Sequence, residues 1–314
     1  MIPYKYSQLI GSVAFDEIVV KEDEYVPIDY HLGQLKLFFT ELQFLSMWAH
    51  LAKKVLYVGA ANGYHIGKLA ELFPDLMFDL WDPGRFEVKE TANIRIFNKF
   101  FDDAAAESYK SEGDQILFMC DIRTLKIALY KKNQENQKMD QLVVNDMLMQ
   151  QRWVQMINPI YAFLKFRLPY YTEKVSYLTG TIYLQPYAPL STETRLMTNN
   201  YIDEKIYNNF EFDAKMAYFN YITRQKRIEH TKWKKCLSEY NLVNAWDNVI
   251  ALNISLMYVT RIKDNNSLSA ACRLFMDVVN YHRKRYGKKY DILFKEKPGP
   301  LSDDGRGESE SDNE

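Results

Sequence analysis

Two periods of apolar positions run through this chain. Between 33 and 52, in GQLKLFFTELQFLSMWAHLA, apolar residues fall about every 3.6 positions and predict a helix. Short apolar runs then alternate with amphipathic stretches. Strands are predicted at Val55–Val58, Met77–Trp81, Ile94–Phe97, Ile116–Cys120 and Tyr161–Phe166. Helices are predicted at Gly63–Phe73, near Asp103–Tyr109 and at Asp140–Ile157. Short apolar strands separated by helices imply an α/β fold with a parallel sheet covered on both faces. After about residue 170 the pattern changes. VSYLTGTIYLQPY (175–187) reads as two strands folded into a hairpin about Thr179–Gly180, and from about Asp203 the chain reads as mostly helical. Residues 1–30 carry few periodic signals and read as an arm along the surface. The Pro-, Gly-, Ser- and acid-rich piece from about 297 reads as disordered.

A glycine turn follows the first predicted strand, in KVLYVGAANGYHIGKL (54–69). It is not a dinucleotide fingerprint: counted from Gly59, the later glycine positions hold Ala61 and Tyr64. Nor is it a P-loop, because Gly63 to Gly67-Lys68 spans only three residues and Leu69 follows. What remains is G-x-x-x-G at a strand end, where glycine permits unusual dihedrals and close approach. The next strand ends in LWDPGR and a later one in ILFMCDIR, which brings Asp82, Asp121 and Arg123 toward the same sheet edge. Ligands of doubly wound sheets bind at that edge. A glycine turn with acids at two further strand ends is the layout expected for S-adenosylmethionine. The plain alternative is that Asp82 and Asp121 cap the turns that follow them.

Composition narrows the class. The 314 residues are 47% hydrophobic and 15% aromatic, enough for one large core. The three cysteines, Cys120, Cys236 and Cys272, form no CxxC pair, which argues against a disulfide framework or zinc site and suits a reducing compartment. The five histidines are scattered, no run is long and apolar enough for a membrane span, and the N-terminus lacks a signal pattern. Net charge is −1, but the tail 301–314 holds six acids and one arginine, leaving a net positive body. Its basic runs, RQKR (224–227), KWKK (232–235) and HRKRYGKKY (282–290), read either as solvated helix faces or as an anion-binding surface for nucleic acid.

Several segments together make the reading specific: GQLKLFFTELQFLS (33–46), VLYVGAANGYHI (55–66), WDPGR (81–85), MCDIR (119–123), NPIYAFLKFRLPY (158–170) and LQPYAPLSTETRL (184–196). In this order they resemble the poxvirus family of cap-specific mRNA 2′-O-methyltransferases, whose members also serve as small regulatory subunits of poly(A) polymerase. The resemblance spans roughly residues 25–220. It implies a Rossmann-like S-adenosylmethionine-dependent methyltransferase fold over 31–296, preceded by the 1–30 arm, with helical C-terminal additions and the 297–314 tail. It also implies capped mRNA as substrate, a poly(A) polymerase catalytic subunit as partner, a cytoplasmic or virion setting, and no metal or membrane.

The family resembles other cap methyltransferases in using a Lys-Asp-Lys-Glu tetrad, which falls here on Lys36, Asp121, Lys165 and Glu193. Four charged residues in apolar surroundings are costly to bury apart, and a shared site removes that cost. The chemistry asks for such a set. A ribose 2′-hydroxyl is a weak nucleophile and must lose its proton near the transition state. A neutral lysine can accept that proton; a charged one can stabilise the developing alkoxide. Lys165 is expected to be the principal group, with Lys36 and Glu193 orienting it and Asp121 between the methyl donor and the lysines. The same resemblance places Gln34, Tyr57, Gly59, Gly63, Asp82, Arg85, Asp102 and Asp121 at the donor, although one extra residue precedes Arg85. For the cap guanine it implies Tyr25, Tyr170 and Asp213. Leu190 stands where the family has a stacking tyrosine and Thr172 where it has an aspartate; Tyr187 or Glu173 is the candidate replacement.

The alternative reading is a non-catalytic RNA-binding processivity subunit of a poly(A) polymerase, compatible with the first. A small-molecule methyltransferase is a weaker third, because the lysine-rich tetrad argues against it.

Overall fold

The computed structural model describes residues 4–12, 32–124, 136–228 and 232–295. The predicted tail and Tyr25 lie outside these residues, as does most of the N-terminal arm.

The long amphipathic segment forms α1 (Gly33–Trp48). After it come β1 (Lys54–Val58), α2 (Tyr64–Leu72), β2 (Met77–Trp81), β3 (Ile94–Phe97), α3 (Asp103–Ser108), β4 (Ile116–Cys120), α4 (Asn136–Ile157) and β5 (Tyr161–Phe166). Then follow β6 (Lys174–Leu178), β7 (Thr181–Tyr183), β8 (Thr194–Thr198), β9 (Glu204–Asn208), α5 (Asn209–Tyr218), α6 (Lys234–Glu239), α7 (Trp246–Arg261) and α8 (Leu268–Tyr286). The main sheet has the order β3-β2-β1-β4-β5-β8-β7. Its first five strands are parallel, β8 is antiparallel to β5, and β7 is antiparallel to β8. This is a Rossmann-like methyltransferase architecture. The strand order reverses direction between β1 and β4, which opens a crevice at the carboxyl ends of those strands.

Aromatic stacks fix the helices to the sheet. On β5, Tyr161 stacks on Trp48 at 3.7 Å between centroids and Phe163 stacks on Phe44 at 4.8 Å, both from α1. These contacts run backward along α1 as they run forward along β5, so helix and strand are antiparallel. Residues two apart share a strand face. Lys165 therefore extends the Tyr161–Phe163 row toward the first turn of α1, which carries Lys36. Beneath β4 and α4, Phe101 meets Trp153 edge-on at 5.0 Å and lies 6.5 Å from Phe118. The C-terminal helices α7 and α8 pack with α1, completing the cover on its side.

Three expectations change. The segment 175–187 holds two strands but no hairpin: β6 pairs with β9 in a separate two-stranded sheet, and β7 pairs with β8. Gly180 makes the crossing possible, since a Cβ there would come within 2.5 Å of the Met197 carbonyl oxygen. The part after Asp203 opens with a strand, β9, before it turns helical. Cys236 and Cys272 form a disulfide, with Cα atoms 6.2 Å apart, against the expectation from cysteine spacing. Their separation of 36 residues gives no sign of it, because α6 and α8 meet only through the tertiary fold.

The arm's described part, 4–12, lies against the body: Lys5 bridges to Tyr183, and Tyr6 stacks on Phe212 at 4.5 Å. Among the described residues, no helix is long and apolar enough to cross a membrane.

Candidate active site

The four predicted charges do converge. Lys36 Nζ lies 2.9 Å from Glu193 Oε1. Lys165 Nζ lies 2.8 Å from Asp121 Oδ1 and 3.7 Å from Glu193 Oε2. The residues come from four elements: the first turn of α1, the end of β4, β5, and the residue before β8. Two arginines join them. Arg195 Nη2 is 2.8 Å from Asp121 Oδ1, and Arg123 pairs with Glu193 Oε2. Asp121 Oδ1 thus faces two cations at ion-pair distance, but neither meets it at a hydrogen-bond angle. Arg195 is buried, and it also donates to Gln185 Oε1 at 3.0 Å and to the Cys120 carbonyl at 3.4 Å.

The electrostatics follow from this geometry. Burial pushes the Asp121 carboxyl up, but Arg195, Lys165 and Lys36 outweigh it and hold it down at about 2. Glu193 is held well below the usual carboxylate range: burial opposes this, and Lys36, Lys165, Arg195 and Arg123 prevail. Both acids are therefore anions at neutral pH. A depressed carboxyl pKa stabilises the fold above the unfolded value, and that contribution is lost as pH falls through the folded value. Unfolding free energy is expected to drop between about pH 4 and pH 2, by about 2 kcal/mol from Asp121. Urea unfolding across this window checks it, and Asp121→Asn should flatten the slope.

The glycine turn carries β1 into α2 with Gly59 at φ +81° and Gly63 at φ +74°. A Cβ on Gly59 would lie 2.8 Å from the Asp121 carbonyl carbon, and one on Gly63 would lie 2.9 Å from Val88 Cγ1. These glycines are required by close approach within the protein, and Gly59 lets the turn nest against the Asp121 backbone. Gly59→Ala is expected to cost on the order of 2 kcal/mol in unfolding from strain at positive φ alone. It should also move Asp121, so activity should fall further than stability.

A cavity of about 520 Å³ is lined by Gln34, Lys36, Asp121, Arg123, Lys165, Arg167, Tyr170 and Glu193, among others. That size suits a small ligand or a nucleotide end. The other predicted donor residues do not line it. Tyr57 is buried, and its hydroxyl donates to Glu41 Oε1 at 2.6 Å. Asp82 accepts from the Gly84 amide at 2.7 Å and the Ala61 amide at 3.3 Å, as the turn-capping alternative foresaw. Asp102 caps α3 through the Ala105 amide at 2.8 Å, and Arg85 is exposed. Each Asp82 oxygen takes a single N–H and keeps acceptor capacity. With the Gln34 amide and the Asp121 carboxylate on the cavity wall, the residues fit a ligand with a zwitterionic end and ribose hydroxyls.

Also on the cavity wall, Arg167 lies 4.1 Å over the Tyr170 ring. Asp140 holds the loop that carries this tyrosine, accepting from the amides of Tyr170, Tyr171 and Thr172 and from the Thr172 hydroxyl. Burial raises the Asp213 carboxyl pKa against the pull of Arg167. Tyr187 cannot replace the missing stacking residue: it is buried, with its hydroxyl on Asn248 and its amide on Asp247. Glu173 lies beside Lys174 at 3.7 Å. Arg224, counted above in a basic run, is likewise internal, paired with Asp247 at 2.7 Å.

The family model described as "Poly A polymerase regulatory subunit" matches residues 3–276. The chain belongs to this family. Among its relatives, a protein named cap-specific mRNA (nucleoside-2′-O-)-methyltransferase from fowlpox virus (strain NVSL) is 29% identical over 250 residues, covering 68% of this chain and 77% of the relative. One of the same name from myxoma virus (strain Lausanne) is 28% identical over 221 residues, covering 63% of each. The resemblance read from the sequence is therefore correct at the family level. Arg195 joins the charged cluster but is not among the residues expected from the sequence. It follows Glu193 by two in STETR, just inside β8.

Proposed function

We infer that this chain transfers a methyl group from S-adenosylmethionine to the ribose 2′-oxygen of the first transcribed nucleotide of capped mRNA. The observation that carries the reading is the interlocked cluster of Lys36, Asp121, Lys165 and Glu193 on one cavity at the carboxyl edge of the sheet. The names of the relatives support it.

S-adenosylmethionine, when bound, supplies the methyl group on a sulfonium. Lys165 stands between two carboxylates, where its neutral form is placed to take the 2′-hydroxyl proton as the oxygen attacks. Asp121 and Glu193, both anionic, compensate the charge that the lysine gains in that step. Lys36, paired to Glu193, holds that carboxylate in place. Gln34 and Asp121 hold the donor's amino-acid end, Asp82 its ribose, and Gly59, Gly63, Tyr57, Arg85 and Asp102 shape the surroundings. Tyr170 stacks on the cap guanine and Asp213 takes its edge donors, with Tyr25 as a further partner. The setting is the cytoplasmic replication site of a virus like those of the relatives.

Labelled methyl transfer to capped and uncapped RNA, followed by nuclease mapping of the label, tests the reading. Label on the first 2′-oxygen of capped RNA is expected. Absence of transfer to capped RNA would overturn it.

The family's description favours a second, compatible role as a polymerase subunit. Lys284, Arg285, Lys288 and Lys289 form an exposed basic stretch suited to RNA backbone. Co-purification with the polymerase catalytic subunit and longer poly(A) products in its presence are expected; neither occurring removes this role.

A further inference from the structure

A buried polar chain runs behind the cavity. The Gln34 side-chain oxygen accepts from the His65 amide at 3.1 Å and faces His65 Nδ1 at 2.8 Å. His65 Nε2 lies 2.9 Å from Glu41 Oε2, and the Tyr57 hydroxyl donates to Glu41 Oε1 at 2.6 Å. His65, Glu41 and Tyr57 are all buried. The chain links α1, which carries Gln34, Lys36 and Glu41, to the start of α2 just after the glycine turn. Gly63 gives α2 no side-chain cap, so Gln34 caps the helix from outside.

Hydrogen-bond logic fixes the orientation. An atom that faces a backbone N–H must be an acceptor, so the Gln34 oxygen, and not its nitrogen, points at His65. The same oxygen faces Nδ1, which must therefore carry a proton. Nε2 then shares a single proton with Glu41, whose other oxygen is occupied by Tyr57. With its oxygen locked inward, Gln34 turns its two N–H donors away from His65, and among the described residues they have no protein partner. Gln34 lines the cavity beside Asp121 and Lys36.

We propose that His65 is a positioning residue that locks the Gln34 amide with its donors toward the cavity, where they read the carboxylate of the methyl donor's amino-acid end. Glu41, held by the Tyr57 hydroxyl, shares the proton at Nε2 and fixes the orientation of the ring, while the Gln34 oxygen takes the Nδ1 proton. This rests on the cofactor reading above. Of the groups on that donor, only the amino-acid carboxylate is an anion, so outward N–H donors select for it.

Calorimetric titration separates the possibilities, using S-adenosylhomocysteine, which keeps the amino-acid end, and 5′-methylthioadenosine, which lacks it. His65→Gln keeps a donor near Glu41 but removes the one on Gln34. It is expected to weaken S-adenosylhomocysteine binding about fivefold to tenfold and leave methylthioadenosine binding unchanged. His65→Asn, whose amide nitrogen takes the place of Nδ1, should bind S-adenosylhomocysteine within about twofold of wild type. In a Gln34→Ala background, His65→Gln should add nothing, because coupled residues are not additive. Equal loss of both ligands, or the same loss without Gln34, would overturn the inference and leave His65 a packing residue. If His65→Gln does not fold, as judged by thermal melting, His65→Asn decides: retained affinity supports the lock and lost affinity overturns it. Wild-type protein that binds neither ligand would instead refute the cofactor reading.

Discussion

Lys165→Ala is expected to lower single-turnover methyl transfer to capped RNA by about a thousandfold, the usual scale for removing a positioned proton acceptor. The fold should survive. The cluster holds four cations, Lys36, Arg123, Lys165 and Arg195, against two anions, Asp121 and Glu193. With Lys165 gone, Arg195 still faces Asp121, and Lys36 and Arg123 still face Glu193, so no carboxylate is orphaned. A loss of only about 1 kcal/mol in unfolding is expected, as for a substitution that leaves no buried charge unpaired. Lys165→Arg sharpens the result. A guanidinium keeps the charge but does not deprotonate, and its planar fork does not fit the space of an ammonium. If Lys165 accepts the proton, the arginine variant should be nearly as inactive as the alanine one. Transfer by Lys165→Ala at the wild-type rate would remove Lys165 from the chemistry.

The parallel half of the fold is legible in the sequence because its strands are short, mostly apolar runs, largely buried in all but the edge strand β3. Four strand predictions, at Met77, Ile94, Ile116 and Tyr161, match the structure at both ends. The antiparallel part is harder. β8 reads TRLMT, and a buried arginine and two threonines break any apolar run there. Its arginine belongs to the charged cluster, opposite Lys165 in the β5–β8 register, and its threonines donate to backbone carbonyls. The tetrad is legible only through motifs spread over 157 residues between Lys36 and Glu193, since no local pattern predicts that they meet. The donor residues show the reverse limit. Sequence position puts Asp82 at a strand end correctly, but the side chains of Asp82 and Asp102 also bind nearby backbone amides, which composition and spacing do not reveal. The His65–Glu41 pair carried no signal at all, because a lone histidine early in a helix is ordinary until its partners are known.

Arg195→Met is expected to destabilise the protein by about 3–5 kcal/mol in urea unfolding, the scale for breaking a buried charge pair from one side. The side chain is buried and serves three partners at once: it pairs with the Asp121 carboxylate and donates to Gln185 and the Cys120 carbonyl. Burial works against its charge, but Asp121, Glu193 and Tyr57 hold the guanidinium protonated. Methionine fills much of the volume and supplies no donor, so Gln185 Oε1 is left unpaired and Asp121 keeps Lys165 as its one close cation. Asp121 is then less depressed, and the acid loss of stability should begin at higher pH than in wild type. Arg195→Lys should fall between the two, since one ammonium cannot span acceptors set for a planar fork. Lys165 provides the contrast. It stands at the cavity, and its loss should remove activity while sparing the fold; Arg195 stands behind it, and its loss should weaken both. If Arg195→Met unfolds within about 0.5 kcal/mol of wild type, the range of ordinary surface changes, then Asp121 does not depend on Arg195 and the charge balance proposed for the site is wrong.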